Sequence, residues 1–480
     1  MRERAANPLL AFVQLLGRSV VDFWAKPIRA EPLALMRILT ALCVMASALT
    51  TIAPNLSTFW SDAGIIPTSV ADQYLDYTHR WSLLRGVTSQ GAILAWFAVW
   101  MLALLLLCMG VFTRFAAVAA FILSLSFNLR ALWTLNGGDD VAVQLLFYLM
   151  IAPSGAAWSV DALRRRMKQY RDPETGFESP AMRPPPQPAM IPPWSVRLIQ
   201  VQLVAIYLLN GVNKLNLESS NDYLTGEAVY WALNDATLTR LAFDDIHFPL
   251  WLCRLLSWCT LLFEFGFGLF ILIPRLRPVV LIGGVLFHAG IFATMEIGWF
   301  SQMALCFYPA MLSGAAVAGF VAWLADIGGH GNYLVCYDTF CPVCRRSRRV
   351  LELFDVGRRL VWLDIHDRDS MQRHLPDKTY AQALKEILVV APGGKITGGF
   401  DGLRSLARAL PALWPLLPLL QFPGVAFLGR RVYKAVAKNR YRLVKCDAGV
   451  CNLHLMALSR ENLDESEIAK VVQAARLAAK

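Results

Sequence analysis

The sequence predicts a polytopic α-helical membrane bundle of about eight spans followed by a small α/β domain. Three observations carry that reading. Of 480 residues, 56% are hydrophobic and 17% charged; soluble domains carry roughly 25% charged residues, so the chain lacks the polar surface a soluble protein of this size needs. The apolar residues gather in long runs that end near residue 325. Charge is uneven as well: residues 1–329 hold 22 basic and 21 acidic side chains, residues 330–480 hold 24 and 14, so nearly all of the +11 net charge lies in the last third. An ordinary cytosolic enzyme, a disordered chain and a secreted disulfide scaffold are excluded.

Residues 1–32 read as a cytoplasmic or interfacial segment, with Trp24 and Pro27 suited to the bilayer surface. Eight apolar runs follow, near 33–53, 91–112, 115–135, 141–157, 196–213, 249–273, 278–296 and 300–324, each set against the roughly 17–25 residues that cross a hydrocarbon core. The first run begins late and carries no cleavage site, so a removable signal peptide is not expected. With the N-terminus in the cytoplasm, fourteen basic residues fall on inside segments and four (Arg80, Arg85, Lys214 and Arg240) on outside loops, the asymmetry that orients membrane proteins. Both termini are then cytoplasmic, most plainly in a bacterial inner membrane. Residues 172–193, with eight prolines, read as a stiff inside linker. Residues 214–248 form a polar outside loop.

Ionisable side chains at membrane depth each need a reason, because one at the bilayer centre costs at least ~2.5–3.5 kcal/mol. They are Arg37, Arg130, Lys214, Arg254, Glu264, His288 and Glu296. For Arg37 and Arg254 snorkelling to the interface is the expected role. Glu264 is expected to pair with a basic neighbour or to join a site. His288 lies mid-span in Phe287-His288-Ala289-Gly290, where it needs a hydrogen-bond partner. Lys214 closes a span at the outer boundary, where a desolvated lysine can serve as a base.

Arg37-Ile38-Leu39, Gly110-Val111-Phe112-Thr113-Arg114, Trp158-Ser159-Val160-Asp161, the block Tyr207 to Leu215, and Phe287-His288 with Gly298-Trp299-Phe300 together resemble the HTTM domain, the membrane domain shared with vitamin K-dependent γ-carboxylases. The resemblance covers about residues 30–325. It implies that Lys214 corresponds to the base that deprotonates vitamin K hydroquinone and that His288 lies in the same site, with a quinone as candidate cofactor. The sequence departs from the carboxylases in having no counterpart of their large lumenal domain and in reading Asn136-Gly137-Gly138-Asp139-Asp140 where they place a histidine. A carboxylase-like or peptide-maturation protein is therefore the alternative expectation.

From residue 330 to 455 the pattern turns to short strands, at 333–337, 360–365, 386–391 and 395–399, alternating with helices at 342–355, 379–385 and 401–410. Strand–helix–strand followed by a hairpin and a helix is the thioredoxin-like order. Cys341-Pro342-Val343-Cys344 follows the first strand and opens the first helix. Proline suits a first helical turn, and the positive helix N-terminus there favours thiolate. Arg345, Arg346, Arg348 and Arg349 add positive potential. Cys341 is the expected nucleophile and Cys344 the resolving thiol. A zinc site completed by Cys446, Cys451 and His454 is the weaker alternative. Cys43, Cys108, Cys253, Cys259 and Cys306 read as small apolar packing residues. The run 411–428, broken by prolines, is expected to rest on the domain or the membrane surface, and residues 456–480 as a helical tail.

Tyr337-Asp338-Thr339-Phe340-Cys341-Pro342-Val343-Cys344, with Tyr433 to Arg442 as a second block, resembles the DCC family of thiol-disulfide oxidoreductases. The family takes its name from that Asp-Cys-Cys signature, which adds Asp338 to the candidate catalytic residues. Thioredoxins place a proline just before the third strand; none stands before 386 here. The expected activity is thiol–disulfide exchange, with membrane lipid, a quinone or peptide, and a cytoplasmic thiol reductant as partners and no nucleic acid. A redox-sensing role for the DCC part is the rival class. Lys214 outside and Cys341 inside would lie across the ~30 Å core, so exchange between them calls for a mobile carrier.

Overall fold

The structure, a computed structural model, describes residues 20–169, 188–215, 222–241, 248–327, 331–339, 341–355 and 359–443. Most of the proline-rich linker, Cys446, Cys451, His454 and the tail after 455 lie outside these residues. The described chain divides into two compact units, 20–162 with 188–317 and 163–169 with 318–443.

The first unit is helical apart from a short antiparallel pair, β1 (Ile28–Arg29) with β2 (Met190–Ile191). Its longer helices are α1 (Glu31–Ser47), α2 (Gln90–Met109), α3 (Thr113–Arg130), α4 (Gly137–Ile151), α5 (Trp194–Asn213), α6 (Leu250–Phe270) and α7 (Arg277–Thr294), then α8 (Phe300–Leu305); α9 (Gly314–Ile327) starts in this unit and lies mostly in the second. Each apolar run expected to span becomes helical. Among the described residues, five helices are long and apolar enough to cross a membrane: Glu31–Phe59, which extends α1, and α2, α5, α6 and α7. The last run is bent by 116° between Phe300–Met311 and Gly314–Leu324. At 15 residues α4 is about 22 Å long, short of the ~30 Å core, and α3 carries Ser124, Ser126, Asn128 and Arg130 on its buried face.

Local chemistry fixes where these helices start and stop. Helix α2 begins at Ser89, whose hydroxyl accepts from the Ala92 N–H at 3.2 Å, and ends at Gly110 with φ +67°. Only glycine fits there, because a Cβ would fall 2.2 Å from that of Ser159. Asp161 then caps α3 from afar: its carboxylate accepts from the Phe112 and Thr113 N–H groups at 3.1 and 2.7 Å and from the Thr113 hydroxyl. Asn136 and Asp139 form a reciprocal capping box on α4.

Arg37 departs from expectation. It is fully buried rather than snorkelling, and its guanidinium donates to the carbonyls of Ser154 at 2.7 Å, Ala157 at 3.3 Å and Trp158 at 2.5 Å. These carbonyls lie in the turn after α4, beyond reach of that helix's own N–H groups, so the buried cation and the orphan acceptors satisfy one another. Three of the quoted sequence blocks thus meet at one structural joint. Arg130 is also buried, donating to the Ile66 carbonyl and the Thr68 hydroxyl, both at 3.1 Å. Arg254, half-buried, pairs with Glu227 at 3.1 Å.

The second unit holds a four-stranded sheet in the order β4-β3-β5-β6, formed by β3 (Tyr333–Tyr337), β4 (Leu360–Asp364), β5 (Leu388–Val390) and β6 (Ile396–Gly398). β3 runs parallel to β4, with Tyr333 opposite Leu360, and antiparallel to β5, with Val335 opposite Val389; β5 and β6 form a hairpin. Alternation of side chains divides the core. Cys336, Leu363 and Leu388 face Met371, Leu375 and Leu384. Tyr333, Val335, Leu360 and Val389 face Leu406, Ala409 and Leu410. Helices α10 (Pro342–Phe354), α12 (Tyr380–Lys385) and α13 (Gly399–Ala409) lie where the sequence places them, and α11 (Arg368–His374) is additional. The long α14 (Pro423–Leu443) follows.

Candidate functional site

The dithiol sits where β3 hands over to α10. Cys341 is the N-cap of α10, and its sulfur accepts the Cys344 backbone N–H at 3.4 Å. The Cys341 side chain is fully buried and Cys344 is half-buried. A hydrogen bond from the Cys344 thiol holds the Cys341 thiol below the ordinary cysteine range, against the opposing effects of burial and of Asp338, with Arg440 and the Cys344 N–H helping. The same contact, with burial, pushes the Cys344 thiol upward. The two sulfurs therefore differ in acidity: the Cys341 thiol ionises the more readily and the Cys344 thiol the less.

Of the arginine run, Arg345 interacts electrostatically with Cys341 and Asp338, and further charge comes from an unexpected residue. Arg348 is committed elsewhere, to Glu352 at 2.6 Å and to the Tyr337 hydroxyl. The guanidinium beside the resolving sulfur belongs to Arg440 of α14, 3.7 Å from Cys344 Sγ and 3.7 Å from Asp338 Oδ2. It also donates to the Leu384 carbonyl. Asp338, directly after β3, is 2% exposed, and its Oδ1 meets His366 Nε2 at 2.9 Å. His366 Nδ1 meets the Tyr380 hydroxyl at 2.8 Å. A buried chain of polar groups thus runs Cys344, Arg440, Asp338, His366, Tyr380. Sequence reasoning named Asp338 but missed Arg440, His366 and Tyr380. The signal for Arg440 was its place in the second block that resembles the DCC family.

In the helical unit, Lys214 Nζ lies 2.5 Å from Glu264 Oε1, which brings together two of the three residues expected at a membrane site. His288 Nε2 lies 2.9 Å from the Tyr207 hydroxyl, which is 2.7 Å from the Tyr308 hydroxyl. Tyr207 stacks on Phe267 with ring centres 3.8 Å apart. Tyr207, Gly211 and Lys214 share one face of α5 at helical spacing, and Glu264 and Phe267 share one face of α6, so these two helices present both groups. Glu264 and His288 are 4% and 3% exposed, yet among the described residues Glu264 Oε2 and His288 Nδ1 have no hydrogen-bond partner. Buried polar atoms left open in this way mark a place where a polar ligand group or water would sit. Tyr308 was missed because it lies past the last quoted motif. Its approach depends on Gly284, where a Cβ would fall 1.9 Å from the Tyr308 hydroxyl. Gly284→Ala is expected to push Tyr308 off Tyr207 and to cost about 1–3 kcal/mol by overpacking, read as a lowered midpoint of thermal unfolding.

An apolar helical bundle followed by a cysteine pair at a strand-to-helix junction defines a membrane protein bearing a thiol–disulfide site. The comparisons with known families agree: residues 335–446 match the family described as DCC1-like thiol-disulfide oxidoreductase, and residues 180–313 match the HTTM domain. The two domains occur in one chain in the order read from the sequence. The HTTM match takes in Lys214, Glu264, His288 and Tyr308, while the blocks at Arg37, Gly110 and Trp158 precede it. Neither the curated proteins nor the solved structures give a match.

Proposed function

We propose that the protein is a membrane-anchored thiol–disulfide oxidoreductase with Cys341 as nucleophile and Cys344 as resolving thiol, on a thioredoxin-like domain. The observation that carries this reading is the N-cap sulfur held by the Cys344 N–H at 3.4 Å. Cys341 thiolate attacks a substrate disulfide, forming a mixed disulfide and releasing one substrate thiol. Cys344 then gives up its proton and attacks Cys341 Sγ, releasing the second thiol and leaving the Cys341–Cys344 disulfide. Two electrons pass to the substrate, and a cytoplasmic thiol reductant restores the pair. The family match to DCC1-like oxidoreductases and the strand order around the motif support this chemistry. We place the protein in a bacterial inner membrane with both termini cytoplasmic and eight crossings, the short and bent helices included. The bundle then binds a quinone or a peptide at His288, Tyr207 and Tyr308, beside Lys214 and Glu264.

The test is a trap. Cys344→Ser removes the resolving attack, so incubation with a small aromatic disulfide should leave one substrate half covalently on Cys341, read by intact mass. No adduct on Cys344→Ser, or an adduct on another cysteine, would overturn the assignment. Asp338→Asn tests the polar chain behind Cys344. Loss of a group that helps move a proton typically costs ~10²–10⁴-fold, and the loss is expected in the resolving step. In stopped-flow traces the first substrate thiol should still appear in a burst while the second is delayed. Equal slowing of both would show that Asp338 only supports the fold.

A further inference from the structure

Helix α14 carries six basic residues and no acidic one. Three stripes divide its surface at helical spacing. The inward stripe holds Ala426 and Arg440, both buried, and Tyr433, whose hydroxyl accepts the Ile387 N–H at 2.9 Å. Gly429 belongs to it as well, since a Cβ there would fall 2.3 Å from the Phe400 ring. The other two stripes point away from the sheet. One is apolar: Leu428, Val432 and Val436 are all exposed, the first two by 61% and 54%. The other is basic, made of the exposed Arg431, Lys434 and Lys438, with the Arg431 guanidinium 4.4 Å from the centre of the Phe427 ring. Arg430 is neutralised by Asp401 at 2.8 Å; among the described residues no carboxylate pairs with Arg431, Lys434 or Lys438. The chain that leads into α14 adds the exposed side chains of Leu416, Leu419 and Phe422. An apolar surface and an uncompensated row of cations thus lie side by side.

We infer that this outer surface of α14 docks on an anionic lipid bilayer, with Leu428, Val432 and Val436 entering the headgroup boundary and Arg431, Lys434 and Lys438 meeting lipid phosphates. Exposed apolar side chains grouped in this way mark an interaction surface. The cations select its partner by charge, because basic side chains beside an apolar stripe are what helices lying in an anionic interface present. A nucleic-acid backbone would satisfy the cations but leave the leucine and valines in water, whereas a bilayer takes up both. Connectivity favours the same partner. Residues 328–332 alone separate the end of α9 from β3, so the sheet domain is tethered to a bundle that sits in lipid. Tethering raises the effective concentration of the bilayer, and a modest surface then suffices for docking. The inference rests on the membrane reading of the bundle and is independent of thiol chemistry at Cys341.

The test uses the full chain in nanodiscs of phosphatidylcholine, with or without an equal part of phosphatidylglycerol. Both kinds of disc contain the same photoreactive phosphatidylcholine, whose diazirine sits near the headgroup boundary. After illumination, peptide mapping should find lipid adducts between Leu416 and Val436 in the anionic discs. They should be several-fold fewer in the neutral discs and at ~1 M salt, where the Debye length shrinks to about 3 Å. Lys434→Glu with Lys438→Glu should erase the difference between the two discs, and Leu428→Glu with Val432→Glu should remove the adducts from both. Retained helical circular dichroism shows that each variant is folded. Adducts on α2, α6 and α7 report insertion of the bundle in the same sample. A labelled bundle with an unlabelled α14 would overturn the docking, and amine cross-links from Lys434 or Lys438 to a bundle loop would then name protein as the cover. Equal labelling of α14 in neutral and anionic discs would overturn the selection by charge. Discs in which neither α14 nor the bundle is labelled would overturn the membrane reading beneath it.

Discussion

Replacing Cys341 by serine is expected to bring disulfide turnover down to background. A serine hydroxyl does not attack a disulfide at neutral pH, and Cys344 does not take over, because it lies inside α10 rather than at its N-cap and burial still disfavours its thiolate. The pH dependence follows from the same asymmetry. Cys341 is held below the ordinary cysteine value, which is ~8.5, so its thiolate is already populated where a free cysteine is mostly thiol. The attack rate should therefore rise with pH through the lowered value, stay level across the range in which free cysteine titrates, and fall as the pH drops below it. Stopped-flow release of the first substrate thiol in single-turnover mixing checks this directly. A rate that climbs through about 8.5 in step with glutathione would mean that the N-cap geometry does not activate the sulfur. Arg440→Met should then shift the profile upward, because it removes a cation that lowers Cys341.

The sheet domain was legible because each of its signals was local. Alternation around Tyr333–Tyr337 and a proline after the first cysteine give the element order without knowledge of the rest. The pairing of β3 with β4 and β5 then follows from chain order. What escaped was tertiary. Arg440 lies 96 positions from Cys344, and neither hydropathy nor periodicity reports that a helix beyond the domain core will return its guanidinium to the thiol. The arginine run after the motif looked the richer source of charge, yet Arg348 turns to Glu352 one helical turn away. Hydropathy gives eight runs, while five helices among the described residues are long and apolar enough on their own to cross a membrane. Helices α3 and α4 bury much of their surface against other helices, so they need neither full length nor full apolarity. Arg37 was misread because a long basic side chain near a span end snorkels by default. Only the fold reveals that the turn after α4 leaves its carbonyls pointing at that one position.

Lys214→Met is expected to destabilise the helical unit by about 3–5 kcal/mol, and Lys214→Met with Glu264→Gln by much less. The reason lies in unequal burial: the Lys214 side chain is 23% exposed and that of Glu264 is 6%, so removing the lysine strands a carboxylate that is almost out of water. Replacing that carboxylate by an amide of the same shape removes the stranded charge. The pair of variants also separates two roles that the sequence leaves together. As the base inferred from the HTTM resemblance, Lys214 would act as a free amine, whereas a 2.5 Å contact with Glu264 is the geometry of an ion pair. If the pair is only a brace between α5 and α6, the double variant should recover both thermal stability and retention of a bound quinone. If Lys214 works on the ligand, stability should return while chemistry on the quinone stays lost, because no amine remains to exchange a proton. A single Lys214→Met protein as stable as the parent would show that Glu264 is already neutral in the bundle. The contact would then be an ordinary hydrogen bond from the amine to a protonated acid, and the proton that serves the site would reside on Glu264.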